Sequence, residues 1–293
     1  MRFRTLKELE SICQAESLTI AELMIAEQAR ETDESEADII AKMSSYYQVM
    51  KEAVSKGLEP GGAQSRSGLT GGDGLRMNEH VLAGEPLVGE WAGKALAYAL
   101  SVSEVNASMG RIVATPTAGS CGILPGVLVS SQERFGWSDE KVVLGLFAAG
   151  AIGYVIANNS FISGAEGGCQ AEVGSAIGMA AGAMVELRGG SPAQAVHAVG
   201  IALKNTLGLI CDPVAGLVEI PCIIRNGLGA VNALAAADMA LAGVRSIIPS
   251  DEVIGVMHEV GTKMPVEHRE TALGGLAATP TGRKLTEQLK AKK

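Results

Sequence analysis

Aromatic side chains are scarce in this chain: two Trp, four Tyr and four Phe among 293 residues. A core with so few rings must close by direct approach of backbones, and 37 glycines permit it. Strand signals are also missing. No run of alternating β-branched residues occurs, and no Asn-Gly or Asp-Gly pair stands between two such runs, which argues against a fold of hairpins. Positive charge is in deficit, with a formal net charge of -8 and a pI near 5.2. Nucleic-acid phosphates need clustered cations, and the one basic cluster, "GRKLTEQLKAKK" at the end, reads as a solvated terminal helix. The opening "MRFRTLKELESICQ" is charged throughout and has no apolar stretch of signal-peptide type. Five cysteines, an odd number, make a disulfide framework unexpected, so a reducing cytoplasm is the expected location.

What is present is helical. Thr19 with Glu22 forms a capping box before "IAELMIAEQAR", and Asp33 or Ser35 can cap "EADIIAKMSSYYQVMKEAVSKG", which ends at Gly57. A glycine-rich loop follows over residues 57–74. Helices are expected again around 86–102, 138–157 and 171–187. Ser191, Pro192 and Gln194 make another box with proline at the first helical position, opening a helix towards Leu207. Two more are expected over about 227–243 and 251–261. The segment 142–165 carries no charge and raises the question of a membrane span. Polar residues crowd its second half (Asn158, Asn159, Ser160, Ser163), and a buried central helix explains it better. No Pro/Ser linker divides the chain. The expectation is one all-α domain over 1–293, with residues 1–57 as a helical N-terminal extension and glycine-rich loops carrying function.

One short sequence occurs twice: "ATPTAG" at 114–119 and "ATPTG" at 278–282. Such turns expose backbone N–H groups and hydroxyls that can hold a carboxylate, although tight helix-linking turns with capping threonines are an equal reading.

The cysteines differ in setting. In "CDPVAGLVEIPC", Cys211 and Cys222 lie eleven residues apart; on a straight helix that is roughly 16 Å, too far for one metal centre. Pro213 and Pro221 break such a helix. Asp212 and Pro213 can instead open a short helix that Pro221 ends, leaving both thiols in irregular backbone free to converge. Cys169, in "SGAEGGCQAEVG", sits at a helix start, where the thiolate that metals require is favoured. Cys13 lies in an amphipathic helix and Cys121 in a turn. The spacing matches no zinc-finger or ferredoxin pattern, so by spacing alone a metal triad and buried apolar filler both stand.

Longer stretches narrow the choice. "GCQAEVG", "LGLICDPVAGLVEIPCIIRN", "HRETALGGLA", "NASMGRIVATPTAGS" and "SGLTGGDG" resemble the α chain of bacterial iron–sulfur L-serine dehydratases, over nearly the whole chain. The resemblance implies that Cys169, Cys211 and Cys222 hold a [4Fe–4S] cluster with one iron left open. It implies L-serine as substrate and pyruvate and ammonia as products. It implies, as partner, a separate β chain with an ACT-like regulatory fold, for which nothing after residue 282 offers room. His268, Lys204 and Lys263 are candidate bases. Thr115, Thr117, Ser120, Asn205 and Asn226 are candidate substrate contacts from their place in the motifs. L-cysteine desulfidase resembles the same domain and is the alternative. A pyridoxal phosphate enzyme would need a Schiff-base lysine, for which only Lys204 is well placed.

Overall fold

The computed structural model describes residues 1–84 and 86–291. Thr5, Thr19 and Ser35 each accept a backbone N–H three residues on and so open α1 (Leu6–Glu16), α2 (Ile20–Thr32) and α3 (Glu36–Leu58). Thr5 and Thr19 form full capping boxes with Glu8 and Glu22. After the glycine-rich loop come α4 (Asp73–Ala83), α5 (Glu90–Ala107), α6 (Ile123–Phe135), α7 (Asp139–Asn159) and the single turn α8 (Gly164–Gly167). A π-helical stretch, Gln170–Gly174, runs directly into α9 (Ser175–Leu187). Ser191 with Gln194 opens α10 (Pro192–Lys204), followed by α11 (Cys222–Leu241), α12 (Ser250–Lys263) and α13 (Pro280–Ala291). The last two lysines of the basic tail lie outside the described residues. Among those described there is no strand, only two isolated bridges, Gln64 with Gly71 and Cys211 with Arg269.

α9 is the central element. All its residues except Glu186 are buried, and it packs against α6, α7, α10 and α11. Its sequence, "SAIGMAAGAMVEL", has no ring, as the shortage of aromatics requires. α5 forms a second centre with α3, α4, α6 and α11. There the backbones nearly touch: a Cβ on Gly126 would lie 2.6 Å from the Ala95 carbonyl oxygen. α7 is the one described helix long and apolar enough to cross a membrane by length and composition, yet 61% of its apolar window is buried. It packs between α2, α3, α9 and α12, so it is a core helix here. α1–α3 share the core: Phe3, Leu6, Leu9 and Tyr47 have no exposed surface.

Several expected elements are displaced. α4 and α6 were not anticipated. α4 has no side-chain cap of its own; the buried carboxylate of Glu104 accepts the N–H groups of Asp73 (2.7 Å) and Gly74 (3.1 Å) from thirty residues away. Asp251 does the same for α1, and Glu186 for α2. Each places negative charge at a helix N-terminus. α5 begins at Glu90 rather than 86. The segment after Cys211 holds no capped helix but one 3₁₀ turn, Val214–Gly216, with Ala215 at φ +58°. Asp212 does not cap it, because its carboxylate faces Arg225 and the Leu276 N–H instead. Pro221 starts α11 rather than ending a helix, so Cys222 is that helix's first residue.

Candidate metal centre

Three separate stretches of chain meet where the buried thiols lie. Gly168, at φ +76°, turns the chain out of α8 so that Cys169 heads the π-helical stretch. A side chain at Gly168 would collide with Met264 as well as strain the backbone. Gln170 anchors this corner, donating to the Met257 carbonyl (3.0 Å) and accepting from the Gly208 N–H (2.9 Å). The second stretch is Cys211, whose N–H donates to the His268 carbonyl (2.8 Å) and whose carbonyl accepts from the Glu270 N–H (2.8 Å). The third is the start of α11, with Cys222 and, one turn on, Arg225.

The Sγ atoms of Cys169 and Cys211 and a carboxylate oxygen of Glu172 all lie within 4.8 Å of one another, and all three residues are buried. Backbone walls them in: a Cβ on Gly164 would lie 2.9 Å from both Cys211 Sγ and Glu172, and one on Gly119 would lie 2.9 Å from Glu172. Cys222 stands outside that tight group. It is near enough that negative charge on Cys169, Glu172 and Glu270 reinforces burial in pushing its thiol up.

Of the two closest thiols, Cys169 is the one pushed down. The Cys211 S–H donates to it, and Arg225 adds positive charge, together outweighing burial. Cys211 is correspondingly pushed up by that hydrogen bond and by burial. Burial pushes Glu172 above the usual carboxylate range, against the Thr117 hydroxyl, and Glu270 reinforces the rise. Arg225 ties the corner together: Nη1 reaches Cys169 Sγ (3.3 Å) and the Ile210 carbonyl (2.9 Å), and Nη2 lies 2.9 Å from Asp212. Cys13 and Cys121 are buried elsewhere, each pushed up to about 12, chiefly by burial, and are inert as ligands.

The other expected site residues divide by position. Thr115, Thr117 and Ser120 lie on the turn whose Gly119 touches Glu172. Ser120 donates to the Thr115 carbonyl (3.1 Å), and Thr115 Oγ1 is buried without a hydrogen-bond partner among the described residues. Asn226 is buried, with its polar atoms already engaged: its amide N–H groups donate to the Gly119 and Cys222 carbonyls, and its oxygen accepts from the Gly122 N–H. It clamps this turn onto α11. His268 is near through its backbone, and its ring borders Gly274. Lys204 and Asn205 are at the exposed end of α10, where the lysine donates to Ser246 (2.6 Å) and the asparagine to the Ile201 carbonyl (2.9 Å). Lys263 is exposed and ion-paired with Glu259.

Glu172 and Arg225 were not singled out from sequence, and Asp212 was read only as a helix cap. A signal existed for the first two. Glu172 is three residues after Cys169 and Arg225 three after Cys222, which on helical backbone is the same side as the cysteine.

Residues 15–277 match the family described as Serine dehydratase alpha chain. The chain is 52% identical over 287 residues to "Probable L-serine dehydratase, alpha chain" of Bacillus subtilis (strain 168), with 98% of this chain and 95% of that one covered. It is 43% identical over 281 residues to "L-serine dehydratase, alpha chain" of Peptoniphilus asaccharolyticus, with 96% of each covered. It is also 43% identical over 284 residues to "L-serine dehydratase" of Streptomyces coelicolor (strain ATCC BAA-471 / A3(2) / M145), covering 94% of this chain but 60% of that longer one.

Proposed function

The chain belongs to the serine dehydratase alpha chain family, and from that premise we propose that it is the metal-bearing chain of an L-serine dehydratase, converting L-serine to pyruvate and ammonia. The observation that carries the reading is the meeting of Cys169, Cys211 and Glu172 within 4.8 Å, with Cys222 and Arg225 at the edge of the same corner. The donor set suits an iron–sulfur cluster: soft, buried thiols, one of them pushed down, and a guanidinium to offset the charge they carry as ligands. Cys169, Cys211 and Cys222 would hold a [4Fe–4S] cluster. Bound there, it supplies a Lewis-acidic iron, because three thiolates leave one of four irons without a protein ligand.

The chain's own residues then have separable tasks. The Cys211 hydrogen bond and the charge of Arg225 push the Cys169 thiol down, and Arg225 is itself held by Asp212. The Thr115 hydroxyl is free to meet the substrate carboxylate, with Thr117 and Ser120 shaping its turn. Asn226 positions that turn. His268 is our assignment for the base that removes the Cα proton, because its segment pairs directly with Cys211. Lys204 is a weaker assignment, since its ammonium is engaged by Ser246. Loss of that proton and of the hydroxyl, as water, leaves aminoacrylate, which water hydrolyses to pyruvate and ammonia.

A β chain with a regulatory ACT-like fold completes the proposed enzyme. The names of the relatives as α chains support it, as does the longer Streptomyces protein. A cytoplasmic location suits five free cysteines. The desulfidase alternative is not favoured, because the named relatives are serine dehydratases. The test is anaerobic purification with and without the β chain, iron and acid-labile sulfide analysis, and parallel assay of pyruvate from L-serine and sulfide from L-cysteine. Protein without iron and sulfide, or turnover of L-cysteine alone, refutes the proposal.

A further inference from the structure

Glu172 has no cation of its own. It is 8% exposed, at the heart of the metal corner, yet no ion pair among the described residues includes it. Arg225, the cation of this corner, is turned to Cys169, Asp212 and the Ile210 carbonyl. The groups that face Glu172 are neutral donors, the Thr117 hydroxyl and the Gly164 N–H. Glu270 adds negative charge nearby. Buried charges in folded proteins are paired, and a carboxylate left without an internal cation is complementary to one that arrives from outside. Two glycines without side chains, Gly119 and Gly164, also border its oxygens, so the space beside it is narrow.

We propose that Glu172 is the receptor for the α-ammonium group of the amino-acid substrate, and so selects amino acids over other hydroxy acids at this site. The proposal rests on the serine dehydratase reading. In that frame the two ends of the substrate are separated by charge: the ammonium goes to Glu172, and the carboxylate goes to the Thr115–Ser120 turn on the neighbouring wall. Glu172 is better suited than Glu270, which is partly exposed and held at φ +64° on the rim.

The test compares L-serine with 3-hydroxypropionate, which is the same molecule without the amine, on the cluster-loaded enzyme with its partner chain. Each ligand is titrated against the cluster's electron paramagnetic resonance and visible spectra, with iron per chain measured in every sample. Wild type should bind L-serine about 10- to 100-fold more tightly than 3-hydroxypropionate, the range for a hydrogen-bonded charged pair. Glu172→Gln should lose that preference, with L-serine weakened by the same factor, 3-hydroxypropionate unchanged and iron content unchanged. Glu172→Asp, which keeps the charge on a shorter arm, should fall between them. Equal weakening of both ligands, or unchanged L-serine binding, overturns the proposal. So does loss of iron from Glu172→Gln, which would make the residue a metal ligand. If Glu172→Gln does not fold, the wild-type comparison and the aspartate variant still decide. Wild-type protein that carries no cluster, or does not respond to L-serine, instead removes the parent reading.

Discussion

Adding a single methyl group at Gly164 tests how tightly the metal corner is built. Gly164 has helical backbone at the first position of α8, so alanine meets no conformational penalty there and gains intrinsic helix preference. The obstacle is space. The new Cβ would sit 2.9 Å from Cys211 Sγ and 2.9 Å from a Glu172 oxygen, several tenths of an ångström inside ordinary contact. Both neighbours are buried, so either they move or α8 does. Overpacking of this kind costs about 1–3 kcal/mol. With an unfolding entropy of about 2.1 cal/mol/K per residue, 293 residues give roughly 0.6 kcal/mol/K, so the metal-free protein should melt about 2–5 °C lower. The variant should also load less iron, because one of the displaced groups, Cys211, is a proposed ligand. Gly255→Ala is the matched control. It lies mid-helix in α12 with nothing within 4 Å of the added Cβ, and alanine there should stabilise by about 0.5–1 kcal/mol. If Gly164→Ala melts and loads iron as Gly255→Ala does, the close approach of α8 to Cys211 and Glu172 is wrong.

Four further outcomes are expected. Cys169→Ser, Cys211→Ser and Cys222→Ser should each remove iron and activity, whereas Cys13→Ser and Cys121→Ala should keep the cluster; iron and acid-labile sulfide analysis decides. Asn226→Ala removes the partner of the buried Gly122 N–H and both ties from α11 to the 119–122 turn, and should cost about 1–3 kcal/mol in urea unfolding, with turnover falling as well. Glu27 is buried, which would raise its carboxyl, but Arg2 and Arg30 outweigh burial and hold it below the usual range. Its contribution is therefore present at pH 7 and lost as pH falls below about 4, so the gap in melting temperature between wild type and Glu27→Gln should close in acid. Activity should decay in air while helical circular dichroism persists, and L-serine should slow the decay because it binds only the intact site; decay that tracks loss of helicity would contradict an open iron.

Local signals carried the outline of the fold. Thr19 with Glu22, Ser35, and Ser191 with Gln194 each start a helix within a few residues of where capping chemistry put them. The uncharged run at 142–165 covers all but the charged first three residues of the core helix α7, which its polar second half suggested. What stayed hidden depends on distant partners. α4 begins at a glycine, and the carboxylate that caps it belongs to α5, so no pattern near residue 73 announces it. α6 opens at Gly122 and contains Pro125 and Gly126, which read as breakers; the N–H of its first turn is satisfied by Asn226 from α11. The candidate site shows the same division. The thiols were visible as unusual residues in unusual settings, but charge balance was not. Only the fold shows that Asp212 answers Arg225, that Asn226 is fully engaged in scaffolding, that Lys204 points to Ser246, and that no ion pair among the described residues includes Glu172.

The short bridge between Cys211 and Arg269 has a consequence for the timing of biosynthesis. Cys169 and Cys211 leave the peptidyl-transferase centre early, but the backbone that clamps Cys211 at His268 and Glu270 is made 58 residues later, from 211 to 269. At about 5–20 residues per second, that is a delay of roughly 3–12 s. Throughout it, Cys211 lies on nascent chain without the backbone that clamps it, and the corner around it is unfinished. Iron delivered co-translationally would meet ligands whose backbone clamp is not yet in place. Loading is thus expected only after the segment around 268–276 has docked, which makes a filled site a certificate that the chain was translated through that segment and folded around it.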